Sequence, residues 1–388
     1  MSLLPELQKL ITDGLEAYLG DLERLVNIDC GSYTPDGVNR VADLVAARLA
    51  NAGAAVERIP HRPGPEQHAL GDLVIGRVAG DGPRLLLIGH MDTVFDPGTA
   101  AERPFVRDGD IAHGPGVSDM KGGLLAGLAA LSALHAAGRH PSVTFVANPD
   151  EEIGSPFSTP FIRALAADHE VALVLECARA NGDIVSARKG IADYRITITG
   201  RAAHAGVEPD KGRSAILAAA RQVEALHALN GRWPTVTCNV GVVAGGTRPN
   251  VVAAACRLEV DLRAATADEF AAAADELERI ALSPAVPDTS ALLQRVASHP
   301  PMERSAATER LVALAQAIAG EIGFRVADAA TGGASDANTT AALGLPTLDG
   351  LGPVGGDDHA PAEWLDLASI VPRTTLLAGL VARVDEAL

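Results

Sequence analysis

The chain has 388 residues, of which 47% are hydrophobic and only 3% aromatic, and its formal net charge is −17. This length exceeds what a single hydrophobic core ordinarily serves, so two domains are expected. The negative charge argues against nucleic acids and anionic membranes as partners, because both attract concentrated Lys and Arg. Two explanations of this charge stay open. Bound cations would compensate part of it, or the chain is an ordinary soluble acidic protein of the cytoplasm.

None of the four cysteines belongs to a C-x-x-C pair, so neither a thiolate zinc knuckle nor a thioredoxin-like motif is indicated. The first residues lack the basic segment and the unbroken apolar segment of a signal peptide. No run reaches the roughly 18 consecutive apolar residues that a membrane-spanning helix needs. We therefore expect a cytoplasmic protein with reduced thiols and no membrane partner.

The first half of the chain predicts helices that alternate with short buried strands. Helical patterns occupy residues 3–28, 37–51, 122–137 and 160–166, and apolar runs occupy residues 73–78, 85–88, 143–147 and 171–175. Short, nearly uninterrupted apolar runs are typical of strands that are buried on both faces of a mostly parallel sheet. The alternation predicts an α/β domain with three layers, in which helices cover both faces of the sheet.

From Lys189 the order of elements changes. The pattern predicts strands at residues 192–199, 235–243, 253–262 and 292–297, with helices at 213–230 and 267–282. This β-α-β-β-α-β order is the ferredoxin-like arrangement. After Pro300 the α/β style resumes, with a helix at 308–322, a strand at 324–327 and a last helix from residue 367. We expect a discontinuous catalytic domain of residues 1–187 and 299–388, interrupted by an α+β domain of residues 188–298.

Potential metal ligands recur just after the apolar runs. His90 and Asp92 in HMDTV, Glu151 and Glu152 in NPDEEIGS, and Glu176 in LEC follow such runs. Two further candidates lie on Gly-rich segments, Asp119 in GPGVSDMKGG before a helix and His359 far downstream in GGDDHAPAEW. Ligands bind at the carboxyl ends of strands in open α/β sheets, so these loops are expected to converge at one edge. Imidazole nitrogen and carboxylate oxygen are both zinc ligands.

The composition of this set favours a pair of metal ions over one. One carboxylate between two sites, with a further carboxylate and an imidazole on each side, makes a symmetric pair. Two dications against three carboxylates leave a single positive charge, which a bridging hydroxide would neutralise. Taken singly, each residue has an ordinary explanation, such as a hydrogen-bonded His or an Asp that caps a helix. Their order and their shared position after strands favour a metal centre.

The motifs resemble a known family, the zinc exopeptidases and deacylases that include acetylornithine deacetylase, succinyl-diaminopimelate desuccinylase, peptidase T and bacterial glutamate carboxypeptidase. Besides the motifs above, the resemblance rests on ITGRAAHAG, GGTRPNVV, VDLR and GGASDA, which follow the family's order along nearly the whole chain. The segments SARKGIADYRITITGRAAHAG and NPDEEIGS look most like the glutamate carboxypeptidase branch.

The resemblance implies a role for each site residue. His90 and Glu176 would hold one zinc ion, Glu152 and His359 the other, and Asp119 would bridge both; cobalt or manganese can replace zinc in such sites. Among the catalytic residues, Glu151 would be the general base that acts on a hydroxide between the metals, Asp92 would orient His90, and His204 would stabilise the oxyanion. Asn250 and Arg263 would bind the carboxylate end of the substrate. The Asp119–Met120 peptide bond would be cis.

The expected function is hydrolysis of the amide bond next to a free C-terminal amino acid, plausibly glutamate. An alternative within the same chemistry is an N-acyl amino acid deacylase similar to acetylornithine deacetylase. A remote alternative is a non-catalytic protein that kept the fold and the metal, which the intact Glu151 and the five intact ligands disfavour. The partners would be a small N-acyl amino acid or peptide, and a second copy of the chain through the inserted domain, which would act as a lid.

Overall fold

The structure is a computed structural model that describes residues 3–283 and 285–388. Its helices are α1 (Leu3–Asp13), α2 (Leu15–Val26), α3 (Pro35–Asn51), α4 (Thr99–Glu102), α5 (Gly123–Ala136), α6 (Thr159–Ala166), α7 (Ala215–His227), α8 (Ala267–Leu282), α9 (Ala306–Glu321), α10 (Asp336–Ala341) and α11 (Ile370–Arg383). Its strands are β1 (Ala55–Ile59), β2 (Leu73–Val78), β3 (Asp81–His90), β4 (Val106–Asp108), β5 (Ile111–His113), β6 (Pro141–Asn148), β7 (Val171–Val174), β8 (Ile184–Arg188), β9 (Gly190–Thr199), β10 (Thr237–Gly245), β11 (Ala255–Ala264), β12 (Ser290–His299), β13 (Asp328–Thr331), β14 (Thr347–Leu348), β15 (Gly355–Gly356) and β16 (Trp364–Asp366).

The chain divides into two compact units. The first takes the chain up to residue 186 together with residues 304–330 and 335–388, and the second takes residues 187–303 and 331–334. The sequence-based boundary after residue 298 falls inside β12, which extends to His299.

The first unit is a three-layer α/β domain, which confirms the predicted fold class. Its main sheet has the order β1-β2-β6-β3-β7-β14. Strands β6, β3, β7 and β14 run parallel to one another, whereas β2 is antiparallel to both of its neighbours. Helices α1, α3, α5 and α11 pack together as one layer, and α6 packs with α10, which contacts β7. The carboxyl ends of the parallel strands therefore share one edge.

The second unit is an α+β domain with the predicted β-α-β-β-α-β order. Its antiparallel sheet has the order β10-β11-β9-β12. Strand β9 buries every second residue, namely Ala192, Tyr194, Ile196 and Ile198. Because alternate side chains of a strand point to opposite faces, one face of the sheet forms the core with α7 and α8.

Two predicted elements differ from the structure. The helix expected over residues 3–28 is two helices, because the chain breaks at Gly14 between α1 and α2. The strand expected at residues 324–327 is wrong, since the strand in this region is β13. Gly323 adopts a left-handed conformation with φ of 92°, and the backbone N–H of Phe324 donates to the carbonyl of Ala319. The start of the expected strand therefore closes the end of helix α9.

Two helical segments, Val117–Ala136 and Leu367–Glu386, are long and apolar enough to cross a membrane by length and composition alone. Within their most apolar windows, 83% and 72% of the residues are buried inside the structure. Burial of this extent is characteristic of core helices in soluble proteins, which pass the same test of length and composition.

Helix α5 begins in close contact with the end of the sheet. A Cβ atom added to Gly123 would lie 1.8 Å from the carbonyl oxygen of Leu175. The carbonyl of Leu175 belongs to the backbone and cannot rotate away from the new methyl group. We therefore expect Gly123→Ala to lower the free energy of unfolding by about 1–3 kcal/mol. Gly20→Ala in α2 is the matched control, because its Cβ would meet nothing within 4 Å and helix propensity predicts a small gain. Urea unfolding of both variants checks the opposite signs, and equal stabilities would contradict the expected steric clash.

Candidate metal centre

The candidate ligands of the first unit lie at the carboxyl edge of its parallel strands. His90 is the last residue of β3, and β3 pairs in parallel with both β6 and β7. Glu152 lies in a short 3₁₀ turn (Glu151–Ile153) that follows β6, and Glu176 lies two residues beyond β7. The backbone pairing of three neighbouring strands therefore brings these side chains to one place.

The donor atoms form two groups of three that share Asp119. Those of His90, Asp119 and Glu176 all lie within 4.8 Å of one another, as do those of Asp119, Glu152 and His359. His90 Nε2 is 3.0 Å from Asp119 Oδ1, and His359 Nε2 is 3.1 Å from Asp119 Oδ2. The two imidazoles thus approach opposite oxygens of a single carboxylate.

The outer carboxylates complete the two groups. Glu152 Oε2 is 3.2 Å from His359 Nε2, and Glu176 Oε1 is 3.8 Å from His90 Nε2. Within residues 3–283 and 285–388, Asp119 and Glu152 form ion pairs with these imidazoles but with no Lys or Arg. Buried carboxylates need compensating positive charge, so the arrangement is chemically suited to cations.

The pKa values of the site residues also indicate that the site favours positive charge. Hydrogen bonds with Asp119 and Glu152 raise the pKa of His359 to about 10. Burial alone would raise the pKa of Asp119, but hydrogen bonds with His359 and His90 outweigh it and hold that pKa well below its ordinary value. The carboxylates therefore favour positive charge at the Nε2 atoms of His90 and His359. Metal ions would compete with protons for the same donor atoms, so these residues fit cations.

Asp92 holds both His90 and the loop that follows β6. His90 Nδ1 is 3.0 Å from the main-chain oxygen of Asp92 and 3.3 Å from its Oδ1. The buried Asp92 carboxylate also accepts hydrogen bonds from the Ser32 hydroxyl at 2.6 Å and from the backbone N–H groups of Glu151 and Glu152 at 3.1 and 3.2 Å. One carboxylate therefore fixes an imidazole and the backbone of two glutamates.

Glu151 differs from its neighbour Glu152 in that its side chain is unengaged. Its carboxylate makes no hydrogen bond or ion pair with any side chain or backbone group in the described part of the chain. Burial, followed by the negative charge of nearby groups such as Glu176, raises the pKa of Glu151 well above its usual value. A carboxyl group in this setting has a raised affinity for a proton, as general bases and acids require.

The loop that carries Asp119 is held by three buried groups that sequence reasoning missed. The Glu363 carboxylate accepts backbone hydrogen bonds from Gly116, Ser118 and Asp119 at 2.8, 2.8 and 3.0 Å. On the other side of Asp119, Lys121 Nζ donates to the carbonyl of Pro115 at 2.9 Å.

The third group is the Tyr18 hydroxyl, which donates to the carbonyl of Gly122 at 2.6 Å. The Asp119–Met120 peptide bond is cis, as the resemblance implied. The only sequence signal for Glu363 was its place in the motif that contains His359.

Three further predicted site residues, His204, Asn250 and Arg263, lie in the second unit. The Ala205 N–H donates to the Asn250 carbonyl at 3.0 Å, so the segments that carry His204 and Asn250 lie side by side. His204 is exposed, and its Nδ1 accepts hydrogen bonds from the backbone N–H groups of Gly206 and Val207, each at 3.2 Å. The neutral ring therefore carries its proton on Nε2.

Arg263 is already paired within the second unit. Its Nε lies 3.0 Å from Asp261 Oδ1 and its Nη2 lies 2.8 Å from Asp261 Oδ2, while Nη1 donates to the carbonyl of Gly332 at 2.8 Å. The guanidinium has five N–H groups, so donors remain for a further acceptor.

Two histidines and two glutamates arranged around one shared aspartate form a donor set that is typical of a metal-dependent hydrolase. The sequence profile of the peptidase family M20/M25/M40 matches residues 86–383. Carboxypeptidase G2 of Pseudomonas sp. (strain RS-16) is 31% identical over 376 residues, covering 95% of this chain and 90% of that protein. The chain belongs to the M20/M25/M40 peptidase family, which confirms the resemblance found in the motifs.

A further sequence relative and a solved structure support this family assignment. Succinyl-diaminopimelate desuccinylase of Leptothrix cholodnii is 30% identical over 371 residues, covering 88% of this chain and 92% of that protein. Aminopeptidase PepT of Bacillus cereus superposes with a TM-score of 0.76 at 21% identity, covering 96% of this chain and 99% of that one. The protein is a metallopeptidase or amidohydrolase, and members of its family depend on metal ions.

Proposed function

We propose that this enzyme binds two zinc ions and hydrolyses the amide bond next to a free C-terminal amino acid, with glutamate preferred. The observation that carries the proposal is the pair of donor groups that share Asp119. His90 and Glu176 would hold one ion, Glu152 and His359 the other, and Asp119 would bridge both. Nitrogen and carboxylate oxygen donors suit zinc, and also cobalt or manganese.

When bound, the metal ions supply a Lewis acid for the scissile carbonyl and acidify the attacking water. Glu151 then takes the proton from that water and carries it to the leaving nitrogen. Its unengaged carboxylate and its raised pKa support this assignment. An amide nitrogen leaves readily only after protonation, so the same carboxyl group serves first as base and then as acid. Asp92 holds the Glu151 backbone and His90 in place.

His204 would donate a hydrogen bond to the oxyanion of the tetrahedral intermediate. Two backbone N–H groups already occupy its Nδ1, so its Nε2–H is the donor that remains. Donors that are oriented in advance toward the developing negative charge are usually the largest contribution to catalysis of acyl transfer. Two copies of the chain would form a homodimer through the second unit. His204 would serve the active site of its own subunit or that of the partner subunit.

Asn250 and Arg263 would bind the carboxylate of the released amino acid. Arg263 keeps N–H groups beyond those that bind Asp261 and Gly332, and hydrogen bonds between a guanidinium and a carboxylate are strengthened by charge. The preference for glutamate rests on the resemblance of NPDEEIGS and SARKGIADYRITITGRAAHAG to the glutamate carboxypeptidase branch. For the acyl side, a cavity of about 760 Å³ adjoins the loop that carries Glu151, and Ile153 and Phe157 are among the residues that line it.

A second candidate is an N-acyl amino acid deacylase with a small acyl group. The observation in its favour is the 30% identity to succinyl-diaminopimelate desuccinylase. Both candidates use the same metal centre and differ only in the groups at the two ends of the amide. A cytoplasmic location, where the four buried cysteines stay reduced, fits both.

A hydrolysis screen separates the two candidates. We expect the zinc-loaded enzyme to release glutamate from acyl and peptidyl glutamates with kcat/KM at least about tenfold above that for other C-terminal residues, a difference of about 1.4 kcal/mol. A chelator should abolish release, and added zinc should restore it. Faster turnover of N-acetyl or N-succinyl derivatives of other amino acids would favour the deacylase, and saturable binding without turnover would contradict both.

A further inference from the structure

Glu363 is a buried carboxyl group that the proposed reaction does not use. The residue is 1% exposed. Oε2 accepts the N–H of Gly116 at 2.8 Å, and Oε1 accepts the N–H groups of Ser118 and Asp119 at 2.8 and 3.0 Å. These partners are between 244 and 247 residues away in sequence, so the contact joins two distant segments. Both oxygens face the backbone of the Asp119 loop.

Only a carboxylate satisfies this set of donors. Three N–H groups converge on one side chain, and an ionised carboxylate offers two oxygens that accept and none that donates. A glutamine would present an NH₂ group to one of the two sides, where it would meet a backbone donor. An aspartate would be one methylene too short to reach both sides. The geometry therefore depends on both the charge and the length of Glu363.

The same short segment places two different parts of the metal centre. His359 precedes Glu363 by four residues, and its Nε2 lies 3.1 Å from Asp119 Oδ2. Strand β16 starts directly after Glu363 and pairs with β5, which lies just before the Asp119 loop. The main-chain oxygen of Glu363 is also 3.0 Å from His113 Nδ1. The segment thus contacts Asp119 at its carboxylate through His359 and at its backbone through Glu363.

We propose that Glu363 is a positioning residue that orients the Asp119 loop for metal binding without contacting the metal ions. The inference rests on the proposed metal sites. Because Asp119 is shared by both donor groups, a displaced loop weakens both sites at once. Groups that orient metal ligands typically change metal affinity by about 10- to 100-fold when they are replaced. Glu363 does so through the backbone of the ligand residue.

The test measures zinc affinity directly, by competition with a chromophoric chelator, for the wild-type protein, Glu363→Gln and Glu363→Asp. We expect Glu363→Gln to raise the Kd of both ions by about 10- to 100-fold and Glu363→Asp to raise them less. The rise in Tm on adding zinc should shrink in step, since a bound ligand stabilises according to its Kd. In steady-state assays kcat should fall while KM stays within about twofold, because Glu363 does not touch the substrate.

Asp29→Asn is the matched control, because the Asp29 carboxylate likewise accepts backbone hydrogen bonds, from Gly98 and Ala100 at 2.8 Å each. It should lower Tm and leave the zinc Kd unchanged. Wild-type zinc affinity in both Glu363 variants, or an equal loss of affinity in Asp29→Asn, would overturn the inference. If Glu363→Gln does not fold, Glu363→Asp decides by the same criterion. Wild-type protein that binds no zinc would instead remove the proposed function itself.

Discussion

Replacing Glu151 with Gln is expected to lower kcat by about 10³-fold while both metal ions stay bound. Glutamine keeps the size of the side chain but cannot accept the proton of the attacking water. The backbone N–H of residue 151 still donates to Asp92, so the neighbouring Glu152 should keep its position. KM should change little, because the lost interaction forms only in the transition state.

The measurement combines steady-state kinetics with metal analysis of the purified variant. Glu16→Gln is the matched control, since Glu16 is an exposed carboxylate of helix α2 and its loss should leave both quantities unchanged. Activity of Glu151→Gln within tenfold of the wild type would show that another group accepts the proton. Loss of bound metal from this variant would instead assign Glu151 to the ligands.

Replacing Asp119 with Asn is expected to weaken both metal sites together. Its two carboxylate oxygens face different imidazoles, at 3.0 Å from His90 and 3.1 Å from His359. An amide offers a single neutral oxygen, so one site loses its ligand and both sites lose the negative charge that they share. We expect each Kd to rise by at least about 100-fold, beyond the 10- to 100-fold effect of losing an orienting group.

Zinc titration calorimetry of Asp119→Asn and of Asp108→Asn, an exposed carboxylate on β4, measures the difference. Two tightly held ions in Asp119→Asn would disprove a shared ligand. One tight and one lost ion would mean that Asp119 serves a single site. Unchanged binding in the Asp108 variant is required for either conclusion.

The parts of the centre that follow strands could be anticipated from sequence. His90, Glu152 and Glu176 come just after apolar runs, and the backbone pairing of parallel strands brings such ends together whatever the rest of the fold does. His359 follows no such strand and was placed only through the resemblance of its motif. The fold class followed from the alternation of elements, because burial on both faces leaves an unmistakable apolar run.

The missed and misplaced elements have a common physical reason. The contacts of Glu363 join residues more than 240 positions apart, and no local pattern encodes them. Strands β4 and β5 have at most one buried residue each and therefore no hydrophobic period. The expected strand at 324–327 is apolar at Phe324 and Val326, but the first of these caps helix α9 instead. In each case, tertiary contacts decide what local composition leaves open.

The order in which the ribosome makes this protein separates the two donor groups of the candidate metal centre. His90, Asp119, Glu152 and Glu176 are synthesised first, and the second unit, residues 187–303 and 331–334, is then made before His359. At about 5–20 residues per second, that interval lasts on the order of ten seconds. A nascent chain therefore displays an acidic, incomplete cluster of candidate ligands until His359 has been made.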